Sequence, residues 1–252
     1  MNGQIVIETQ ELTKVYGEQV AVNHLNLKIN QGEVFGFLGP NGAGKTTTLL
    51  MLLGLSEPSS GKAWVCGFDP TREPLKVKRV VGYLPENVGF YEDMNAAQDL
   101  KYISRLNGIP DEISRRRIEE LLRAVDLQAE PKKRVGDYSR GMRQRLGIAE
   151  VLLKEPQVVF LDEPTLGLDP DGSNQILEFI QSLSRDKKIT VFFCSHLLDQ
   201  VQKVSHRVGI MIKGHLVAAG RIEDLAKEKL GLGQERYTLE EIYMKYFKEG
   251  QS

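Results

Sequence analysis

Eight consecutive residues, Gly39-Pro40-Asn41-Gly42-Ala43-Gly44-Lys45-Thr46, follow the pattern G-x-x-x-x-G-K-T. Each residue type has a mechanical task there. The glycines let the backbone curl so that successive N–H groups converge on an anion. Lys45 reaches the outer phosphates of a nucleotide, and the Thr46 hydroxyl, with Thr47 behind it, suits a Mg²⁺ ion. A second chemical signal is the apolar run Val158-Val159-Phe160-Leu161 that ends in Asp162-Glu163. A buried strand would deliver Asp162 to a metal shell at the C-terminal edge of a sheet, where the ligands of α/β folds collect. Glu163, one residue on, is free to hold and polarise a water in line with a γ-phosphate.

These residues need a strand–loop–helix unit and a parallel sheet to place them. Glu33 to Leu38 reads as a buried strand, and Thr46 to Leu53 as a helix whose N-terminal partial charge faces the phosphates. Ile5-Val6-Ile7 through Leu12 and Val20 to Ile29 alternate in polarity, which predicts antiparallel strands near the N-terminus, with Lys62 to Cys66 as a further one. From Asp93 to Leu127 the apolar residues recur at three- and four-residue steps, and Asn107-Gly108-Ile109-Pro110 divides that stretch into two helices. Val158 to Leu161 and Ile189 to Cys194 have the continuous apolarity of strands buried on both faces. Val208 to Ile212 and His215 to Ala218 predict a hairpin around Lys213-Gly214. The fold class is therefore α/β, with a helical insert over roughly residues 87–155. Residues 1–220 form the main domain, and 221–252 a charged helical extension broken at Gly231 to Gly233.

Composition excludes several function classes. The chain has 252 residues, 33 Lys and Arg against 34 Asp and Glu, and a formal charge of −1. That balance gives no general drive toward nucleic acid or anionic lipid, so no nucleic-acid partner is expected. The apolar runs fall short of a bilayer-spanning helix, and Met1-Asn2-Gly3-Gln4 lacks the features of a signal peptide. Cys66 and Cys194 sit in strand-like contexts as reduced thiols, which predicts a cytosolic setting. Arg115-Arg116-Arg117 and Lys132-Lys133-Arg134 are read as solvated helix faces, since acidic residues intersperse. His24, His206 and His215 are read as structural.

With these motifs in order along the chain, the sequence resembles the ATP-binding-cassette (ABC) ATPases. Tyr138-Ser139-Arg140-Gly141-Met142-Arg143-Gln144-Arg145 stands where that family carries its signature motif. Asp162-Glu163-Pro164-Thr165 matches the Walker B extension, Gly167-Leu168-Asp169 the D-loop, and Ser195-His196 the switch histidine. Lys14-Val15-Tyr16-Gly17 puts Tyr16 where the family stacks a ring on adenine. The resemblance implies a P-loop NTPase core of ABC ATPase type, with an N-terminal antiparallel β subdomain and an inserted α-helical subdomain. It implies ATP and Mg²⁺ as ligands, and catalytic roles for Glu163 and His196. Nucleotide contacts would come from Tyr16, the loop Gly39 to Thr47, Ser139, Arg140, Gly141 and Asp169. Because Ser139 and Gly141 would serve ATP on a partner subunit, a head-to-tail homodimer is implied. Separate transmembrane permease subunits would hold the pair at the cytoplasmic face of the membrane.

Two positions depart from the family pattern. Tyr138, Arg140 and Met142 replace residues of the usual Leu-Ser-Gly-Gly-Gln signature, while Ser139 and Gly141 remain. In Gly82-Tyr83-Leu84-Pro85-Glu86-Asn87, Glu86 stands where the family has the glutamine that touches Mg²⁺ or the attacking water. A carboxylate still accepts from a metal-bound water but donates nothing when ionised. The Gly-Tyr-Leu-Pro-Glu form is similar to a subset of ABC-2 exporters, and the segment through Tyr91 also to the ATPase that serves copper-site maturation of nitrous oxide reductase. The alternative reading is a soluble ABC ATPase acting on ribosomes or DNA; a GTPase or kinase sharing only the phosphate loop is disfavoured by the lack of an Asn-Lys-x-Asp motif, and an inactive regulatory cassette by the presence of Lys45, Asp162, Glu163 and His196. The transported cargo is not written in this chain.

Overall fold

The computed structural model describes residues 3–230 and 237–249. In chain order the elements are β1 (Ile5–Tyr16), β2 (Gln19–Asn30), β3 (Val34–Leu38), α1 (Lys45–Leu52), β4 (Ser60–Val65), α2 (Pro74–Val80) and β5 (Val81–Leu84). They continue with α3 (Ala96–Leu106), α4 (Asp111–Ala124), α5 (Arg140–Leu152), β6 (Val158–Asp162), α6 (Pro170–Lys187) and β7 (Thr190–Ser195). The last are α7 (Leu198–Val204), β8 (Arg207–Ile212), β9 (His215–Gly220), α8 (Ile222–Leu230) and α9 (Leu239–Glu249).

Every residue of β3, β6 and β7 is buried, as their continuous apolarity requires. Such strands are covered on both faces and pair in parallel. They lie in a six-stranded sheet of order β5-β6-β7-β3-β8-β9, parallel except for β9, which runs antiparallel to β8. Successive side chains point to opposite faces of a strand, so one sheet feeds two cores. On one face Phe35, Phe37, Phe160 and Phe192 form a ring cluster with centroids 5.2–6.4 Å apart. This face packs on a separate antiparallel sheet of order β2-β1-β4. Full burial of each ring is worth about 1.5–3 kcal/mol. On the other face Val159, Leu161, Val191 and Phe193 join the core built with the helices.

β5 and β6 are neighbours in the sheet, yet α3, α4 and α5 lie between them in sequence. The helical stretch is thus looped out of a parallel crossover. The α3 start is specified locally: the Asn95 side chain accepts from Gln98 N, and the Gln98 side chain from Asn95 N, each at 2.9 Å. Such a capping box satisfies two amides that a helix leaves unpaired.

Several expectations need correction. α2 and β5 were unforeseen; both are short, and β5 is an edge strand. Arg117 is not a solvated residue. It is half-buried, donates to the Leu153 carbonyl at 3.2 Å and pairs with Glu155, tying α4 to the end of α5. Cys66 lies in the turn after β4, not in a strand, with φ +51°, and burial pushes its thiol up to about 11. Cys194 is buried in β7, and both thiols are free. The charged tail proves amphipathic: α9 buries Leu239, Ile242 and Tyr246, and Leu239 N donates to Gln202 Oε1 on α7 at 2.7 Å. The Gly231 to Gly233 break lies outside the described residues. No helix among those described is long and apolar enough to cross a membrane.

The β8–β9 hairpin turns at Lys213 (φ +48°) and Gly214 (φ +84°), as two-residue hairpin loops with both central residues left-handed do. Its tip reaches inward. Gly214 N donates to Ala43 O at 3.0 Å, and Asn23 N donates to Gly214 O at 2.8 Å, so this turn joins the phosphate loop to β2.

Candidate functional site

The loop Gly39–Gly44 leaves the C-terminal end of β3 and enters α1 at Lys45. Gly42 and Gly44 have φ of +78° and +104°. A Cβ on Gly44 would stand 2.3 Å from the Ala21 carbonyl oxygen, so the loop can lie against β2 only with glycine there. Lys45 is buried, and its ammonium donates to the Gly39 and Pro40 carbonyls at 2.7 and 3.3 Å. This curls the lysine over the loop it belongs to. The loop borders a cavity of about 660 Å³ lined by Tyr16, Asn41, Gly42, Ala43, Gly44, Lys45, Thr46, Thr47, Glu86, Asp162, Glu163 and His196, while Gly39 and Pro40 stand behind it with their carbonyls turned to Lys45.

Strand order gathers the acids. β6 ends at Asp162 and β7 at Ser195 on the same sheet edge as the loop. Thr46 Oγ1 donates to Asp162 Oδ2 at 3.0 Å. Burial raises the Asp162 carboxyl above its ordinary range; the Thr46 hydrogen bond and Lys45 oppose this, and the Glu163 and Glu86 charges add to it. Glu163 is buried with φ +49°, a left-handed conformation that costs a non-glycine residue about 1–3 kcal/mol and clusters at functional sites. Its N–H donates to Cys194 O at 3.0 Å. Its carboxylate lies 2.9 Å from His196 Nδ1 and 3.9 Å from Lys45 Nζ.

Tyr16 stands at the cavity mouth, 49% exposed. Lys14 Nζ sits 4.9 Å from its ring centroid, and its hydroxyl is 3.4 Å from Ser56 Oγ. Two contacts thus orient a ring with open surface left for a flat partner.

The other sequence-predicted residues do not join this cavity. Ser139, Arg140, Gly141 and Asp169 border a second one, of about 360 Å³, which shares no residue with the first. Ser139 caps α5 by accepting from Met142 N at 3.2 Å, and Asp169 caps α6 by accepting from Gly172 N at 2.7 Å. The Arg140 guanidinium lies over Gly167, where a methyl group would come within 2.5 Å of Nη1. Two amide-rich helix starts therefore open onto one recess. His206 is structural as expected: its Nδ1 accepts from Val34 N at 2.9 Å. No motif points to Ala21, which backs the phosphate loop, or to the Ser195–Glu163 bond, which depends on strand adjacency.

The first cavity can hold a polyphosphate. It offers a glycine loop, a lysine and a helix N-terminus on one wall. The hydroxyl of Thr46 and the carboxylates of Asp162 and Glu86 are hard oxygen donors that suit Mg²⁺. No cluster of three or more His, Cys, Asp or Glu among the described residues could hold a metal alone.

Comparison with known proteins agrees with this geometry. The family model described as ABC transporter matches residues 22–166. The bacitracin transport ATP-binding protein BcrA of Bacillus licheniformis is 42% identical over 222 residues, covering 88% of this chain and 72% of its own. The ABC transporter ATP-binding protein NatA of Bacillus subtilis is 41% identical over 206 residues, covering 81% and 83%. A solved structure of an ATP-binding subunit of an ABC transporter superposes with a TM-score of 0.85 at 27% identity, covering 96% of this chain and 99% of that one. With its phosphate loop, its paired acids and its sheet order all in place, the chain belongs to the ABC transporter family, as one of its ATP-binding-cassette ATPases.

Proposed function

We propose that this chain powers a membrane transporter from the cytoplasmic face of the membrane, docked on separate transmembrane subunits, by hydrolysing ATP at the interface of a head-to-tail homodimer. The observation that supports the dimer is that the residues expected to contact nucleotide divide between two cavities of one chain. Each cavity has half of what a phosphate needs, and a second copy turned head to tail would bring the halves together. The names of BcrA and NatA, both ATP-binding proteins of transporters, support the transport setting.

In this reading Tyr16 stacks on the adenine, and the amides of Gly39 to Thr47 wrap the phosphates. Lys45 leaves the Gly39 and Pro40 carbonyls to meet the β- and γ-phosphates. Thr46, Asp162 and Glu86 hold Mg²⁺, which neutralises phosphate charge when bound. Glu163 orients a water in line with the γ-phosphate and takes its proton, while His196 senses that phosphate. Ser139, Arg140, Gly141 and Asp169 close over the nucleotide of the partner. The domain division follows: an ABC ATPase domain over 1–220, with a helical subdomain at about 87–155, and a C-terminal helical extension over 221–252.

The test is Glu163→Gln in the isolated full-length chain. Hydrolysis should fall by about 10²-fold or more while ATP binding persists. Sizing should then show a dimer with Mg-ATP that ADP returns toward monomer, because a ligand contacting both partners favours their association. Wild-type turnover by this variant removes Glu163 from the role. One and the same oligomer with ATP, with ADP and without nucleotide overturns the dimer.

A further inference from the structure

The two oxygens of the Glu163 carboxylate keep different company. Oε1 faces the cavity side, with His196 Nδ1 at 2.9 Å and Lys45 Nζ at 3.9 Å. Oε2 accepts a hydrogen bond from Ser195 Oγ at 3.3 Å. Ser195 is the last residue of β7 and has no exposed surface. Its hydroxyl also accepts from Leu197 N at 3.1 Å. An amide N–H only donates, so a lone pair of the hydroxyl is committed to Leu197 and its single hydrogen is left for the carboxylate. The direction of the Ser195 bond is thereby fixed.

The Glu163 backbone is left-handed, and its N–H is tied to the carbonyl of Cys194, the residue before Ser195. The end of β7 therefore grips Glu163 twice, once by the main chain and once by the side chain. The contacts on Oε1 are of another kind. Lys45 has an ammonium that a phosphate would draw away, since charge-assisted bonds to phosphate are among the stronger ones. Ser195 is sealed beneath the cavity and has no such competitor.

We infer that Ser195 is a positioning residue for ATP hydrolysis, which anchors Oε2 of Glu163 so that Oε1 stays aimed into the phosphate cavity. The inference rests on the proposed role of Glu163. Its physical content is rotational: a glutamate side chain freed at Oε2 regains torsional freedom that it must lose again before each turnover. The same hydroxyl also holds the Leu197 amide at the entry to α7.

The experiment uses the full-length chain and three variants: Ser195→Ala, Ser195→Thr, and Ser195→Ala combined with Glu163→Gln. Steady-state hydrolysis gives kcat and KM, single-turnover hydrolysis of labelled ATP covers the slow variants, and ATP affinity is measured at equilibrium. Ser195→Ala should lower kcat by about 10–100-fold, the scale on which small misplacements act, with KM and affinity held within about threefold. Ser195→Thr keeps the hydroxyl and should return kcat to within about threefold of the parent. Ser195→Ala should add nothing to Glu163→Gln, because residues that act through one another are non-additive.

A wild-type kcat in Ser195→Ala overturns the inference. So does a KM that rises in step with the fall in kcat, or a further full loss in the Glu163→Gln background. If the threonine variant fails to fold, the cycle with Glu163→Gln decides alone. Wild-type turnover by Glu163→Gln itself fells the reading of Glu163 first, and the anchoring role with it.

Discussion

The two cavities are built in opposite ways. Around the phosphate loop Lys45, Asp162, Glu163 and Ser195 are buried and already bonded, Lys45 to the loop carbonyls and Ser195 to Glu163, while Thr46 and His196 join them from the exposed rim through Asp162 and Glu163. At the starts of α5 and α6 the polar residues are exposed and bonded mainly to their own helices, as Ser139 is to Met142 N and Asp169 to Gly172 N. The first arrangement is preorganised, with its desolvation cost met during folding. The second is a prepared surface whose amides wait for an acceptor. The contrast teaches that one chain can carry a preorganised polar cavity and, separately, an exposed recess built from two helix starts.

The largest effect should come from the first cavity. Lys45→Ala removes a charge-assisted phosphate contact worth about 1.5–3 kcal/mol, so ATP affinity should fall by about 10–100-fold in the isolated chain. Ser139→Arg should leave that affinity within about twofold, because the residue lies in the other cavity, yet abolish the ATP-induced dimer of the Glu163→Gln background. Equilibrium binding with parallel sizing checks both. An ATP affinity that falls equally in the two variants would break the comparison.

A smaller effect is expected at the cavity mouth. Tyr16→Ala should cost about 1–3 kcal/mol of nucleotide affinity, alike for ATP and GTP, since every base offers a π-face. A loss confined to ATP would mean that the ring reads an edge of the base instead of stacking on it.

The smallest effect concerns the body behind the second cavity. Burial, and then the hydrogen bond and charge of Asp99 on α3, hold the Glu150 carboxyl on α5 well above the ordinary glutamate value of 4.5. Asp99 is itself buried, with Oδ2 lacking a hydrogen-bond partner. A carboxyl raised in the folded state binds its proton more tightly there than in the unfolded chain. Its contribution is therefore complete below pH 4.5 and is lost as pH rises toward its folded value. Glu150→Gln keeps a donor toward Asp99 without the ionisation. It should be more stable than the parent by about 1–2 kcal/mol near pH 8, with the gap closing in acid. Denaturant melts at the two pH values check this, and a gap that widens in acid would contradict it.

Much of the first cavity was legible in the sequence because its parts are local. A glycine loop, an apolar run ending in acids and a two-residue hairpin each declare themselves within a dozen residues. What escaped depends on adjacency across the fold. The Ser195–Glu163 bond exists because β6 and β7 are neighbours, although α6 separates them in sequence. Arg117 looked like part of a solvated basic run because nothing in its neighbourhood announces the Leu153 carbonyl. β5 and α2 are too short for periodicity to show. The separation of Ser139 from the phosphate loop came only from family resemblance, since spacing along the chain does not say which helix start faces which cavity.

The turn at Lys213-Gly214 has the outward look of a good place to cut the chain or splice in a reporter. It is short, glycine-bearing and at the tip of a hairpin. Loop tips usually tolerate insertion, but the better guide is whether the affected backbone is already engaged. Here Gly214 N–H holds Ala43 of the phosphate loop and its carbonyl holds Asn23 of β2. A domain grafted at this point would pull on the wall of the nucleotide cavity, so whoever builds a sensor from this protein should place the graft elsewhere.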